Sequence, residues 1–382
     1  MKKENILNIV ESLRDDMFED FKRLVNINSF SENLEGIERV YEAITEIGER
    51  EGLKFEKIKN QRVHLMLNRE LKEGFYGFIG HIDTVHKKDN GFDKIEEFED
   101  RFRGPGTNDM KSGIIVALYS LVVLKRVFEG DLPIKVLFNS DEEIGSFDSK
   151  DTILNDFKNA SAGFVFEPGR LENKIVTSRK GVLGIDVEFF GKASHAGVEP
   201  QNGKNAIVSA AYAIEKLDKL NDFENGVSVS CNVIEGGEVR NTIADYCKLL
   251  VDCRYVKPSQ FDELSKNFKK IFGSPDERGV EIKYEVVHHR PPFVKTKESE
   301  RLFNLYKSAY KAIGKEVSEV GTGGGSDANF LSSIGVASLD GVGGIGDHSH
   351  TLKEYVLKES IPERVKVFTL FMSDLLSSQK GE

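Results

Sequence analysis

The chain has little cysteine, no long apolar run and no excess of positive charge. Only three cysteines, Cys231, Cys247 and Cys253, occur in its 382 residues. Their spacing fits neither a zinc finger nor a disulfide framework, so buried thiols in a reducing compartment are expected. No stretch approaches the roughly 18 apolar residues that span a bilayer, and the opening MKKENILNIVESLRDD has no apolar core of signal-peptide length. The formal charge is −10 and the pI is near 5.5. That balance argues against nucleic acid or an anionic membrane as the main partner, though local basic pockets for an acidic substrate stay open. There is no internal repeat and no low-complexity segment. The glycine run at 321–325 lacks the Gly-Lys-Ser/Thr ending of a phosphate-cradling loop. These absences leave a cytoplasmic enzyme or binding protein as the expectation.

What is present fits a soluble chain of two domains. Its length exceeds what one core usually supports, and 39% hydrophobic with 30% charged residues suits a globular protein. Helical spacing predicts helices over 8–26 and 36–51, with Gly52 closing the second. Residues 53–58 and 62–67 read as strands, the second at an edge. The run Phe75, Tyr76, Phe78, Ile79 is apolar and of strand length, as in a strand buried on both faces of a parallel sheet. Residues 89–103 read as an irregular surface loop, 104–113 (GPGTNDMKSG) as a tight loop and 114–128 as an amphipathic helix. Further buried strands are expected at 134–139 and 163–166.

The pattern changes near Ser178. Alternating strands at 181–190, 227–234, 246–255 and 280–287, with helices at 205–220 and 260–272, give the order β-α-β-β-α-β of a ferredoxin-like sandwich. The first pattern then resumes: a helix at 299–313, the 321–325 loop, a helix from Ser326, a strand at 335–339, a second glycine loop and a last helix at 359–376. The expectation is an α/β catalytic domain, a mixed sheet flanked by helices, made of residues 1–177 and 292–382. An inserted α+β lid/dimerisation domain takes 178–291.

Polar groups at the ends of buried strands are where open α/β sheets place ligands. His81 and Asp83 follow the first buried strand and, two apart in an extended segment, share one face. Asp109 sits just before a helix, Glu142 and Glu143 follow the 134–139 strand, Glu167 follows the 163–166 strand, and His350 follows the second glycine loop. Imidazole and carboxylate without thiolate suit zinc, or cobalt or manganese. Two divalent ions bring four positive charges; Asp109, Glu143 and Glu167 bring three negative and a hydroxide the fourth, a neutral core. Adjacent Glu142 and Glu143 cannot both point one way in an extended segment, so one binds metal and the other shuttles protons. Such a site lowers the pKa of bound water to about 7, with ions ~3.5–4 Å apart.

The HxD after a strand, the GxxDMKxG loop, the Glu-Glu pair, the Glu-Pro dipeptide and the late His-x-x-x-Glu resemble the dizinc exopeptidases and deacylases. That family includes glutamate carboxypeptidase, aminoacylase, acetylornithine deacetylase, succinyl-diaminopimelate desuccinylase and peptidase T. The resemblance covers almost the whole chain, and five motifs in order make it specific. It implies that Asp109 bridges two ions, that His81 and Glu167 complete one, and that Glu143 and His350 complete the other. Glu142 is then the general base and Asp83 orients His81. His195, in SHAG, is similar to the histidine that reaches the reacting carbonyl across a dimer interface. Asn241 and Arg290 are similar to the residues that meet the substrate's carboxylate, and Gly324 lies in the loop lining the substrate's terminus. The resemblance also implies a cis Asp109–Met110 peptide and a homodimer through the lid. The implied activity is hydrolysis of a peptide or N-acyl bond next to a free carboxylate, carboxypeptidase-like first, with tripeptidase or N-acyl amino acid deacylase as alternatives. A non-catalytic metal-binding protein on the same fold is the reading from a different class.

Each assignment has a plainer counterpart. Asp109 also suits a helix N-cap, His348 competes with His350 in DHSH, and His195 also fits a satisfied loop histidine. Arg254 is a rival to Arg290. His288 and His289 read as structural or rim residues, His64 and His86 as incidental.

Overall fold

The computed structural model describes residues 2–273 and 275–379 and divides into two compact units: 1–178, 295–321 and 326–382 in one, 179–294 and 322–325 in the other. The first unit is built on a mixed sheet of β1 (Glu56–Lys59), β2 (Val63–Leu67), β3 (Tyr76–His81), β6 (Ile134–Asn139), β7 (Ala162–Val165), β8 (Lys174–Arg179), β13 (Ser318–Thr322) and β14 (Ser338–Asp340). They lie in the order β1-β2-β6-β3-β7-β14-β8-β13. β3 is parallel to both β6 and β7, and every residue of β3 and β6 is buried. Three apolar parallel strands therefore run side by side and deliver the segments that follow them to one edge. β1, not β2, is the edge strand: β2 pairs with β1 on one side and β6 on the other.

A second, small sheet lies in the order β15-β16-β5-β4, from β4 (Glu96–Glu97), β5 (Arg101–Arg103), β15 (Gly346–Asp347) and β16 (Tyr355–Leu357). The expectation of an irregular loop over 89–103 is corrected here. Strands of two and three residues are too short to show alternation, and the pairing of β5 with β16 joins residues some 250 positions apart in the chain. β8 and β13 were likewise not anticipated.

The helices of this unit are α1 (Lys2–Ser12), α2 (Arg14–Val25), α3 (Leu34–Arg50), α4 (Ser112–Val127), α5 (Ser149–Asp156), α8 (Lys297–Ala312), α9 (Ala328–Ser333) and α10 (Ser360–Gln379). The single helix expected over 8–26 is two, because Leu13 leaves helical dihedrals (φ −98°, ψ 3°) and turns into the core. α3 starts where the Asn33 side chain accepts from the Gly36 N–H at 3.2 Å, and Gly52, at φ +69°, follows its end. α4 is not amphipathic: Ser112 to Leu124 are all buried, and only its last turn reaches solvent. A helix apolar all round belongs inside a core. The rings of Phe78, Phe164, Phe166, Phe368 and Phe371 pack with centroids 4.9–6.1 Å apart. Burial of each contributes about 1.5–3 kcal/mol.

The second unit contains β9 (Gly181–Phe190), α6 (Ala206–Asp218), β10 (Ser228–Gly236), β11 (Tyr246–Tyr255), α7 (Pro258–Ile271) and β12 (Glu281–Arg290). Its sheet has the order β10-β11-β9-β12 and is antiparallel throughout, the ferredoxin-like arrangement. Leu183, Ile185, Val187 and Phe189 alternate along β9 and pack with Ala210, Leu217 and Phe268 of the helices. Among the described residues no helix is long and apolar enough to cross a membrane.

Candidate metal centre

Three chain segments leave the parallel strands at one edge of the sheet. β3 ends on His81, whose ring is buried. Its Nδ1 lies 3.0 Å from the main-chain oxygen of Asp83, which fixes the ring so that Nε2 faces outward. Nε2 stands 3.2 Å from Asp109 Oδ1 and 3.5 Å from Glu167 Oε1. Glu167 arrives from the end of β7. The segment after β6 turns helically at Glu142–Ile144, so the Glu pair does not sit in an extended strand as expected. Successive residues in such a 3-10 turn diverge by about 120°, and the two carboxylates still part company. Glu143 Oε2 lies 3.1 Å from His350 Nε2, whereas a Glu142 oxygen lies within 4.8 Å of ligand atoms of His81 and Glu167.

Asp109 occupies the middle. Its Oδ1 faces His81, and its Oδ2 is 3.5 Å from His350 Nε2. Two imidazole–carboxylate pairs, His81 with Glu167 and His350 with Glu143, therefore share one carboxylate through opposite oxygens. The Asp109–Met110 peptide is cis, and Asp109 precedes α4 without capping it. Of the two histidines in DHSH, His350 faces the carboxylates, while the His348 ring lies by Tyr355 with centroids 6.1 Å apart. Both have positive φ, so they occupy turns and not one strand face.

The Asp83 carboxylate does more than sit beside the imidazole. Its oxygens accept from Ser31 Oγ at 2.8 Å, the Glu143 N–H at 3.2 Å and the Glu142 N–H at 3.3 Å. Its closest approach to His81 Nδ1 is 3.4 Å. The carboxylate thus clamps the main chain of the turn that carries both glutamates. His64 and His86 are not incidental either. Both are buried, one 3.1 Å from Asp148 and the other 2.7 Å from Glu354. A histidine followed by no motif gave no signal of such partners.

Electrostatics point to a cation. Burial opposes charge on His81, yet Asp109, Asp83 and Glu167 outweigh it and hold the imidazole well above its ordinary value. Asp109 and Glu143 push His350 up to about 11. Burial, with Asp109 beside it, pushes Glu143 up to about 8. Asp109 is held low by both imidazoles against its burial. Among its own side chains alone, the cluster can balance its negative charge only by taking up protons. Glu143 Oε1 is buried with no hydrogen-bond partner among the described residues, an orphan acceptor that a cation satisfies. Donors about a tetrahedral zinc with bonds near 2.0–2.1 Å lie roughly 3.3–3.4 Å apart, and the two sets of donors here are 3.1–3.5 Å apart. The residues fit a metal.

The remaining expected residues lie in the second unit. His195 is exposed, with Nδ1 accepting from the Gly197 N–H at 3.1 Å. Asn241 is beside it: its main-chain oxygen accepts from the Ala196 N–H at 2.9 Å. Arg290 is buried and packs against Gly325. Arg254 is engaged by both oxygens of Asp252 at 2.8 Å and by the Gly323 carbonyl at 3.3 Å. The Gly324 carbonyl accepts from buried Arg179 at 3.2 Å, a residue the sequence pattern did not single out.

An α/β sheet that presents imidazoles and carboxylates beyond its parallel strands defines a metallohydrolase class. Residues 77–374 match the model for Peptidase family M20/M25/M40. Carboxypeptidase G2 of Pseudomonas sp. (strain RS-16) is 32% identical over 305 residues, covering 78% of this chain and 73% of that one. A succinyl-diaminopimelate desuccinylase of Ectopseudomonas mendocina is 25% identical over 349 residues, covering 84% and 89%. Among solved structures, aminopeptidase PepT from Bacillus cereus superposes with a TM-score of 0.74 at 22% identity, covering 94% of this chain and 97% of that one; that likeness shows the fold. The chain belongs to Peptidase family M20/M25/M40 and is a metallopeptidase/amidohydrolase-type enzyme.

Proposed function

We propose that the protein is a dinuclear metal-dependent exopeptidase, carboxypeptidase-like, that cleaves a peptide or N-acyl amide next to a free carboxylate. The observation that carries this reading is Asp109 placed between two imidazole–carboxylate pairs. His81 and Glu167 would hold one ion, His350 and Glu143 the other, and Asp109 both; zinc suits the donors best, with cobalt or manganese as alternatives. Bound there, the ions supply Lewis acidity that acidifies water and polarises the scissile carbonyl.

The chain's own residues do the rest. Glu142 accepts the proton of the attacking water on its carboxylate and delivers it to the leaving nitrogen. Asp83 keeps the Glu142 and Glu143 main chain in place. Arg290 would pair with the substrate's free carboxylate by a planar two-point contact, with Asn241 and Gly324 as further residues that meet the substrate. The partner subunit's His195 would donate a hydrogen bond to the reacting carbonyl oxygen across the dimer interface. The similarity to carboxypeptidase G2 supports the carboxypeptidase direction; the succinyl-diaminopimelate desuccinylase likeness favours N-acyl deacylation as the second reading. We place the protein in the cytoplasm as a homodimer. Ile207, Val208 and Tyr212 on α6, with Ile234 and Val239 near edge strand β10, are exposed apolar side chains that support a second copy as the occupant.

A panel of dipeptides and N-acyl amino acids, assayed with zinc, cobalt and manganese, tests the reading. Metal-dependent release of a C-terminal residue, glutamate or aspartate first, supports it. Loss of an acyl group without peptide cleavage moves the assignment to a deacylase. Metal-loaded protein inert across the panel overturns the catalytic reading, and a monomer by light scattering overturns the dimer.

A further inference from the structure

The loop that carries Asp109 is anchored by a carboxylate outside the metal cluster. Glu354 is fully buried. Its Oε1 accepts from the main-chain N–H of Asn108 and of Asp109, both at 2.8 Å, and its Oε2 accepts from the Gly106 N–H at 3.1 Å. The same Oε2 lies 2.7 Å from His86 Nε2. One side chain thus receives three main-chain donors within four residues, and a buried imidazole supplies the fourth. His86 is itself held in place: its ring meets Phe92 edge-on at 5.1 Å, and its carbonyl accepts from Asn28 Nδ2 at 2.9 Å.

The small sheet explains how Glu354 comes to lie there. β16 pairs with β5 so that Tyr355 stands opposite Arg103, and the Gly104 N–H donates to the Glu354 main-chain oxygen at 3.3 Å. That pairing sets Glu354 against the 104–109 segment. The four-residue interval to His350 means one short segment delivers both a facing imidazole and the loop's anchor. An ordinary surface glutamate four residues past a ligand would have no such connections.

We propose that Glu354, held by His86, is a positioning residue that fixes the main chain of residues 106–109 and so sets the bridging carboxylate of Asp109 midway between His81 and His350. This rests on the reading of Asp109 as a shared metal ligand. The Glu354 carboxylate acts through the loop, by way of its main-chain donors.

Two measurements test it. In chelator-stripped protein, hydrogen exchange at the amides of Gly106, Asn108 and Asp109 reads the anchor without any metal. E354Q keeps the shape but turns a donor toward Gly106 and His86, so these amides are expected to exchange about tenfold faster while β3 and β6 amides keep their protection. Zinc titration against a competing chelator reads the consequence: affinity falls about 10–100-fold in E354Q, the range for partners behind a metal ligand. H86Q, which retains a donor, restores most of the difference that H86F produces. Loop exchange and zinc affinity both unchanged in E354Q and E354A overturn the proposal, as does a loss of protection spread evenly over loop and core. If the unaltered protein itself takes up no metal, the metal reading fails, and the exchange measurement still decides whether Glu354 anchors the loop.

Discussion

Replacing Asp109 by asparagine tests the shared-ligand geometry directly. The change keeps the size of the side chain and the main-chain contacts of residue 109, but one carboxylate oxygen becomes an NH2 group. Both oxygens are in use, one 3.2 Å from His81 and the other 3.5 Å from His350, so no rotamer spares both sides. The amide nitrogen must face one of the two imidazole–carboxylate pairs. There it cannot bind a cation, and it removes one of three negative charges on which charge balance depends. Deleting one partner of a buried charged pair costs about 3–5 kcal/mol, which at about 1.4 kcal/mol per tenfold predicts at least one ion bound roughly 10²- to 4 × 10³-fold more weakly. Metal content by atomic emission after dialysis at micromolar zinc, with calorimetric back-titration, measures this. The expected outcome is two ions in the parent protein and at most one in Asp109→Asn, with turnover lost. Two ions retained at parental affinity would refute the bridging role and with it the dinuclear assignment.

Three further outcomes are expected. Glu142→Ala should keep its metal but lose turnover by at least ~10²-fold; a parental rate removes Glu142 as the base. Metal loading should release protons near neutral pH, because His350 (up to about 11) and Glu143 (up to about 8) are protonated below those values and must give up the proton to bind. Affinity therefore rises with pH and falls on acidification; calorimetry in buffers of different ionisation enthalpy reads the release, and affinity flat between about pH 6 and 8 contradicts it. Gly113→Ala should destabilise by about 1–3 kcal/mol or more, since a Cβ there would meet the Phe166 carbonyl oxygen at 1.9 Å in the approach of α4 to the Glu167 segment. Denaturant unfolding measures it, and parental stability would mean that the helix can shift at no cost.

What could be read from the chain alone, and what could not, follows from the range of the interactions involved. β3, β6 and the long strands of the second unit carry their signal locally, in unbroken apolar runs or clean alternation, and the bounds of β6, β9 and β11 match the pattern residue for residue. The strand-end positions of His81 and Glu167 are visible for the same reason. α4 reads as amphipathic in the sequence yet is buried on every side, because the two kinds of helix differ in what surrounds them more than in their period. The small sheet was invisible because its two- and three-residue strands have no period at all. With it went the partnership of Glu354, legible only as the end of the His-x-x-x-Glu motif, with His86, which spans 268 positions. The clamp of Asp83 on the Glu142–Glu143 turn escaped notice too, since main-chain donors leave no mark in the sequence.

The order in which the parts of the centre occur along the chain bears on its biosynthesis. His81, Asp109, Glu143 and Glu167 are translated within one stretch of 87 residues, whereas His350 follows Glu167 only after a further 183 positions, with Glu354 just behind it. On the proposed reading, a chain still on the ribosome displays four of the five expected ligands before the last of them and the anchor of Asp109 have been made. On that reading, secure metal capture waits for the segment that carries His350 and Glu354, and a chain cut short before it keeps the carboxylates without the second imidazole.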